Sequence, residues 1–151
     1  MADEVRFAAD LYRGAAAAYD RYRLPYPAAM TADLVRRAGV SGRGRLLDLA
    51  CGTGQLAFPL RRWFAEVWAV DQEPDMIEVV RAKATTAEAP NFRPVVSSAE
   101  TLGAQPEYFE LAVIGNAVPP ARPGSGRRPD LQLAPARRPL GAVLVFPALD
   151  R

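Results

Sequence analysis

The sequence predicts an α/β fold, a doubly wound parallel sheet that is incomplete at the C-terminus. Three observations predict it. Short apolar runs at 46–49, 67–70, 91–96 and 109–114 alternate with stretches of helical pattern. The turn Gly52-Thr53-Gly54 joins the first run directly to a helical stretch, as in a βα unit whose backbone meets a ligand. Each of the first two runs also carries an acid at or near its end, Asp48 and Asp71.

The elements follow in order. Residues 5–19, with their alanine run, read as a helix, and residues 27–38 as a second one ended by Gly39. Leu46, Leu47 and Leu49 are apolar enough for a central strand. Val67-Trp68-Ala69-Val70-Asp71 is the next strand, and Gln72-Glu73-Pro74-Asp75 reads as a helix start, with Pro74 at the first helical position and acids in the first turn. Met76, Ile77, Val79 and Val80 give that helix its apolar face. Residues 91–96 form a third strand, followed by Ser97-Ser98-Ala99-Glu100, and residues 109–114 a fourth, followed by Gly115-Asn116-Ala117. In open α/β sheets ligands bind outside the carboxyl ends of the strands, where all four of these loops lie.

The acids favour one ligand class over another. In a dinucleotide-binding turn the pyrophosphate sits over the glycines, and a carboxylate just before the loop is badly placed for it. A cationic ligand suits Asp48 better. Asp71 falls nineteen residues after Gly52, near the spacing of about 20 residues expected of an acid that accepts hydrogen bonds from ribose hydroxyls. Gly52-x-Gly54-x-x-Ala57 also satisfies a relaxed dinucleotide fingerprint, so the glycines alone leave both classes open.

With Asp48 through Gly54 in place, the chain resembles the class I S-adenosylmethionine-dependent methyltransferases, whose first motif is an acid followed by Gly-x-Gly-x-Gly. Ala50 stands where that family most often has its first glycine. The resemblance implies a Rossmann-like sheet, S-adenosylmethionine as cofactor, and a methyl transfer to a small-molecule acceptor. It also implies cofactor contacts from Asp48, Ala50, Cys51, Gly52, Thr53 and Gly54, with Asp71 and Gln72 at the ribose side. Met76 matches the position beside the adenine, though plain core packing explains it equally. Ser98, Ala99 and Glu100 match the loop against the base, and would alternatively cap a short helix. Asn116 follows the fourth strand.

Upstream, Tyr19-Asp20-Arg21-Tyr22-Arg23-Leu24-Pro25-Tyr26-Pro27 resembles the Tyr-x-x-Tyr-Arg-x-x-Tyr-Pro segment that precedes the core in many small-molecule members of the family. By that resemblance Tyr19, Tyr22 and Arg23 belong to a lid over the cofactor's methionine end, where aromatic faces can cover a sulfonium. The alternative is that the tyrosines pin the N-terminal helix to the sheet. No catalytic base is assigned, since Glu100 and Asn116 are too generic.

Composition narrows the classes. Half of the 151 residues are apolar, enough for one domain with a core. No run of about 18 apolar residues could span a membrane, and no secretory pattern opens the sequence, so a cytoplasmic protein is expected. One cysteine, Cys51, and no histidine exclude an internal disulfide, a Cys–His nucleophile and the usual zinc clusters. The isoelectric point near 9.0 invites a nucleic-acid reading. Residues 1–117, however, carry thirteen basic and fifteen acidic side chains, so the core is slightly acidic and no nucleic-acid partner is expected.

Three segments result: 1–40 a helical cap, 41–117 the cofactor-binding core, and 118–151 an atypical tail. The tail holds seven of the fourteen prolines and six arginines. Its Pro119-Pro120-Ala121-Arg122-Pro123-Gly124 stretch has no helical or strand period. The family pattern stops there, which suggests a truncated or frame-shifted product: the Val-Pro-Pro-Ala-Arg-Pro run, decoded one nucleotide later, can read Phe-His-Arg-Leu-Asp, the family's continuation. The rival account is a genuine linker ending in a strand at 140–146. Three functions stay open: a small-molecule methyltransferase, a non-catalytic S-adenosylmethionine-binding fragment, and, more distantly, an NAD(P)-binding oxidoreductase domain.

Overall fold

The computed structural model describes residues 14–103, 108–115 and 143–146. Four parallel strands carry most of it: β1 (Arg45–Leu49), β2 (Glu66–Asp71), β3 (Phe92–Val96) and β4 (Leu111–Gly115). A fifth, β5 (Val143–Phe146), lies within the apolar run at 140–146 and pairs in parallel with β4. The sheet order is β3-β2-β1-β4-β5. The order reverses at β1: the chain runs outward from β1 through β2 to β3, then returns to place β4 on the other side of β1. That switch point puts the loops after β1 and β4 side by side.

Among the described residues four α-helices accompany the sheet: α1 (Ala16–Tyr22), α2 (Ala28–Ala38), α3 (Ala57–Leu60) and α4 (Pro74–Thr86). Helix α2 ends as its sequence requires, with Gly39 in the left-handed conformation at φ 61° and its N–H bonded to the Val35 carbonyl. Helix α4 begins at Pro74, whose missing N–H costs nothing in the first turn. The helix after the glycine turn is short. Only Ala57–Leu60 is α-helical, and Arg61–Trp63 tighten into a 3-10 turn before Phe64 returns to extended backbone. The N-terminal helix expected over 5–19 has its described part shifted to Ala16–Tyr22, and residues 5–13 lie outside the described residues.

The main core sits between the sheet and helices α2 to α4. It gathers Leu34, Leu46, Leu56, Ala57, Leu60, Val67, Ile77, Val80, Phe92, Leu111 and Val113, all buried. A smaller cluster on the opposite face comprises Leu47, Val70, Phe109 and Ala112, with Trp68 beside it. Tyr108 and Phe109 meet Trp68 edge-on at 5.7 and 5.6 Å, so the segment just before β4 covers part of that face. The strand register fixes the site. With Leu49 opposite Val70 and Ile114, the tips of β1, β2 and β4 end together.

Candidate cofactor site at the strand tips

Asp48 and Asp71 hold the glycine turn in place. The Asp48 carboxylate, 1% exposed, accepts the Ala57 N–H at 3.0 Å and so fixes the start of α3. Asp71 accepts the Gly52 N–H at 2.8 Å through Oδ2 and the Glu73 N–H at 2.9 Å through Oδ1. It therefore clamps the turn to β2 and orders the approach to α4. The Cys51 N–H bonds to the Val70 carbonyl at 3.0 Å, and the Gly54 N–H to the Cys51 carbonyl at 2.9 Å. Each carboxylate oxygen has two lone pairs, so both acids keep acceptor capacity after these bonds.

The turn needs small residues at two points. Gly52 and Gly54 have φ of 56° and 89°, and a Cβ on Gly54 would stand 2.7 Å from Phe58 Cδ2. Ala50 also adopts φ 51°, a left-handed conformation that costs a side-chain-bearing residue roughly 1–2 kcal/mol. Thr53 is fully buried, and its hydroxyl accepts from the Gln55 side-chain amide.

Helix α1 and the segment after it close over the turn. Tyr19, Tyr26, Asp48, Ala50, Cys51, Gly52, Gln55, Leu56 and Gly115 enclose a cavity of about 40 Å3. The Tyr19 ring comes within 3.6 Å of where a Gly52 Cβ would sit, and the Arg23 guanidinium lies 5.3 Å from the Tyr19 ring centroid. Tyr22 points elsewhere and is 70% exposed, because its place on α1 turns it from the sheet. Of the expected lid segment, Tyr19 and Tyr26 line this cavity and Arg23 lies beside Tyr19.

On the β2 and β3 side, Met76 is buried at 4% and Gln72 is exposed. The loop after β3 is tied to β2 by the Ser97 N–H, which bonds to the Asp71 carbonyl at 2.9 Å. Ser98 makes a side-chain turn with Thr101, whose N–H it accepts at 3.3 Å. No helix follows within residues 98–103, so the capping alternative does not apply there. Ala99 and Glu100 are exposed, and Glu100 is held below the usual carboxylate range by its own N–H and the Ser98 hydroxyl. Asn116 lies outside the described residues.

Electrostatically the pocket is acidic. Burial pushes the Asp48 carboxyl up to about 8; the Ala57 N–H opposes that rise and the charge of Asp71 adds to it. Burial likewise pushes the Cys51 thiol up, reinforced by Asp48 and Asp71, which keeps it protonated and unreactive. The Tyr26 phenol is raised by burial against the pull of Arg23. Among the described residues no group of three or more His, Cys, Asp or Glu side chains could hold a metal, and no helix is long and apolar enough to cross a membrane.

Sequence reasoning did not single out Lys83. Its ammonium donates to Asp20 Oδ1 at 2.6 Å and to the Thr53 carbonyl at 2.9 Å, and it lies 4.8 Å from the Phe58 ring centroid. The available signal was its rarity: it is the one lysine in a chain that otherwise uses arginine for its basic residues.

The chain is similar to known methyltransferases. The family described as a methyltransferase domain matches residues 46–123, just over half of the chain. A trans-aconitate 2-methyltransferase from Mycobacterium ulcerans is 36% identical over 93 residues, covering 54% of this chain and 35% of that protein. The chain thus spans about a third of the length of the curated relatives it matches. Among solved structures, an S-adenosylmethionine-dependent methyltransferase from Clostridium acetobutylicum has a TM-score of 0.54 at 24% identity, covering 69% of this chain and 43% of that one. The YcgJ protein from Bacillus subtilis also has a TM-score of 0.54 at 24% identity, over 59% of this chain and 38% of that one.

Proposed function

The chain belongs to the methyltransferase domain family, and from that premise we propose that it binds S-adenosylmethionine at the tips of β1 and β2 and transfers its methyl group to a small acidic acceptor. One observation carries the reading: Asp48 and Asp71 stand at successive strand tips on either side of a glycine turn that they both hold. Asp71, with acceptor capacity left on both oxygens, receives the ribose hydroxyls. Asp48, lining the cavity beneath Tyr19, faces the cationic methionine end. The backbone of Ala50 to Gly54 comes close to the ligand because Gly52 and Gly54 bear no side chains, with Cys51 and Thr53 packed behind it. Gln72, next to Asp71, belongs to the ribose side, and Met76, Ser98, Ala99 and Glu100 border the adenine.

When bound, the sulfonium cofactor supplies an activated methyl and a neutral thioether leaving group. What the protein adds is alignment and exclusion of water. Tyr19 and Tyr26 close the cavity, and their aromatic faces suit a positive sulfur. Arg23 beside Tyr19 gives the rim a positive charge, which fits an acceptor carboxylate, the chemistry named in the Mycobacterium ulcerans relative. A cytoplasmic protein acting on a dissolved metabolite is the corresponding setting.

Calorimetric titration with S-adenosylhomocysteine and with NAD tests the binding step. Heat with the former and none with the latter is expected, and the reverse overturns the reading. Formation of S-adenosylhomocysteine in the presence of trans-aconitate and a panel of small carboxylic acids then separates catalysis from binding without transfer.

A further inference from the structure

We propose that Lys83 is a positioning residue of the cofactor site, joining the cap helix α1 to the glycine turn so that Tyr19 is seated over Gly52. The inference rests on the cofactor reading above. Lys83 lies on α4, outside the cavity, yet its ammonium bridges two elements that border it. One contact is Asp20 on α1, immediately after Tyr19 in sequence. The other is the carbonyl of Thr53, between the two turn glycines. Phe58, the residue that occupies the space beside Gly54, supports the ammonium from α3. Four elements therefore converge on one charge.

A second polar tie between α4 and the cap segment, the Gly14 N–H to Asp75 at 2.6 Å, lies ahead of α1, whereas Lys83 reaches α1 at Asp20, next to Tyr19. The cavity of about 40 Å3 is far smaller than the roughly 300–1,000 Å3 of small-molecule pockets, so seating a whole ligand there requires movement of α1 relative to the turn. A four-carbon stem with three freely rotating donors can keep hold of both partners through that movement. Lys83 contributes nothing to the methyl transfer itself and touches no reacting atom; it sets how firmly Tyr19 covers the ligand.

The test uses the full chain and S-adenosylhomocysteine. Lys83→Met is expected to weaken binding about tenfold, and Lys83→Arg to restore it to within about threefold of the parent. Asp20→Asn, which releases α1 and keeps the Thr53 bond, should fall between them. Far-UV circular dichroism and urea midpoints check that each variant is folded. A second readout needs no ligand affinity: since Lys83 is the one lysine, acetylation measured by peptide mass reports it alone. Asp20→Asn should speed that acetylation several-fold in the free chain. Equal binding by Lys83→Met and the parent, no rescue by arginine, or unchanged acetylation in Asp20→Asn each overturns the proposal. If the parent chain does not bind S-adenosylhomocysteine, the functional reading falls, and the acetylation contrast still decides on the Lys83 joint.

Discussion

Replacing Asp48 by asparagine removes a titrating charge from the centre of the turn while keeping an oxygen for the Ala57 N–H. In the parent chain burial lifts this carboxyl from its ordinary 3.8 to about 8. At pH 7 only about a tenth of the molecules then carry the charge that a cationic ligand needs. The apparent affinity for S-adenosylmethionine is lowered by that fraction, about tenfold at pH 7 and about a hundredfold at pH 6. Binding must also release close to one proton per site below pH 8. Titration calorimetry at pH 6, 7 and 8, in buffers of different ionisation enthalpy, measures both quantities. Asp48→Asn is expected to bind weakly, with no proton release and no dependence on pH across this window. A parent chain whose affinity is flat from pH 6 to 8 and which releases no proton would refute the reasoning.

The same group sets a stability trend with a definite sign. Its folded pKa lies above its unfolded one, so the folded chain holds a proton that the unfolded chain gives up between about pH 4 and pH 8. The stability it contributes is complete below about pH 4 and is lost as pH rises through about 8. The loss is at most about 6 kcal/mol. Urea midpoints of the parent should therefore fall between pH 5 and 8 relative to those of Asp48→Asn, in which this contribution is absent.

Other changes probe the turn and the tail. Ala50→Gly relieves the left-handed φ of 51° and should stabilise the chain by about 0.5–1 kcal/mol after the larger unfolded-state entropy is counted, seen as a raised urea midpoint. Gly54→Ala places a Cβ 2.7 Å from Phe58 at φ 89° and should cost about 2–3 kcal/mol by the same assay. Asp71→Ala orphans the Gly52 and Glu73 N–H groups, so a loss of about 1–3 kcal/mol should accompany at least a tenfold fall in S-adenosylhomocysteine affinity. For residues 118–151 we propose a change of reading frame. Translation one base later from codon 118 is expected to yield a methyltransferase-like helix and a Pro-Gly-Gly turn, and their absence from the nucleotide sequence overturns that proposal.

Much of the sheet was legible because strands and glycine turns leave local marks. The leucines of β1, the Val-Trp-Ala-Val run of β2 and Pro74 at the start of α4 each declare themselves within a few residues. Helix α3 was harder. The glycine turn announces its start, but nothing local marks its end, where Arg61–Trp63 tighten before the chain turns into β2. The site was legible as residue types and less so as roles. Asp48 reads as a ligand contact, yet the carboxylate is also the partner of a backbone N–H nine residues away. Lys83 joins residues 63 and 30 positions distant, a convergence with no local signature at all.

The choice between a sulfonium cofactor and a dinucleotide can be argued from where the turn's amides go. A pyrophosphate is held by backbone N–H groups that point outward from a glycine turn and from the first turn of the following helix. Here the Gly52 N–H is taken by Asp71 and the Gly54 N–H by the Cys51 carbonyl. The Ala57 N–H is taken by Asp48 and the Phe58 N–H by the Gly54 carbonyl. Helix α3 has four residues, too few for much of a dipole. A phosphate placed over this turn would find these donors spent and two acids beneath it, whereas a cation would favour the charged form of Asp48. Inorganic pyrophosphate is therefore expected not to compete with S-adenosylhomocysteine. Displacement of the bound nucleoside by millimolar pyrophosphate at constant ionic strength would mean that these amides are free in solution, and with that the preference for a cationic ligand would be lost.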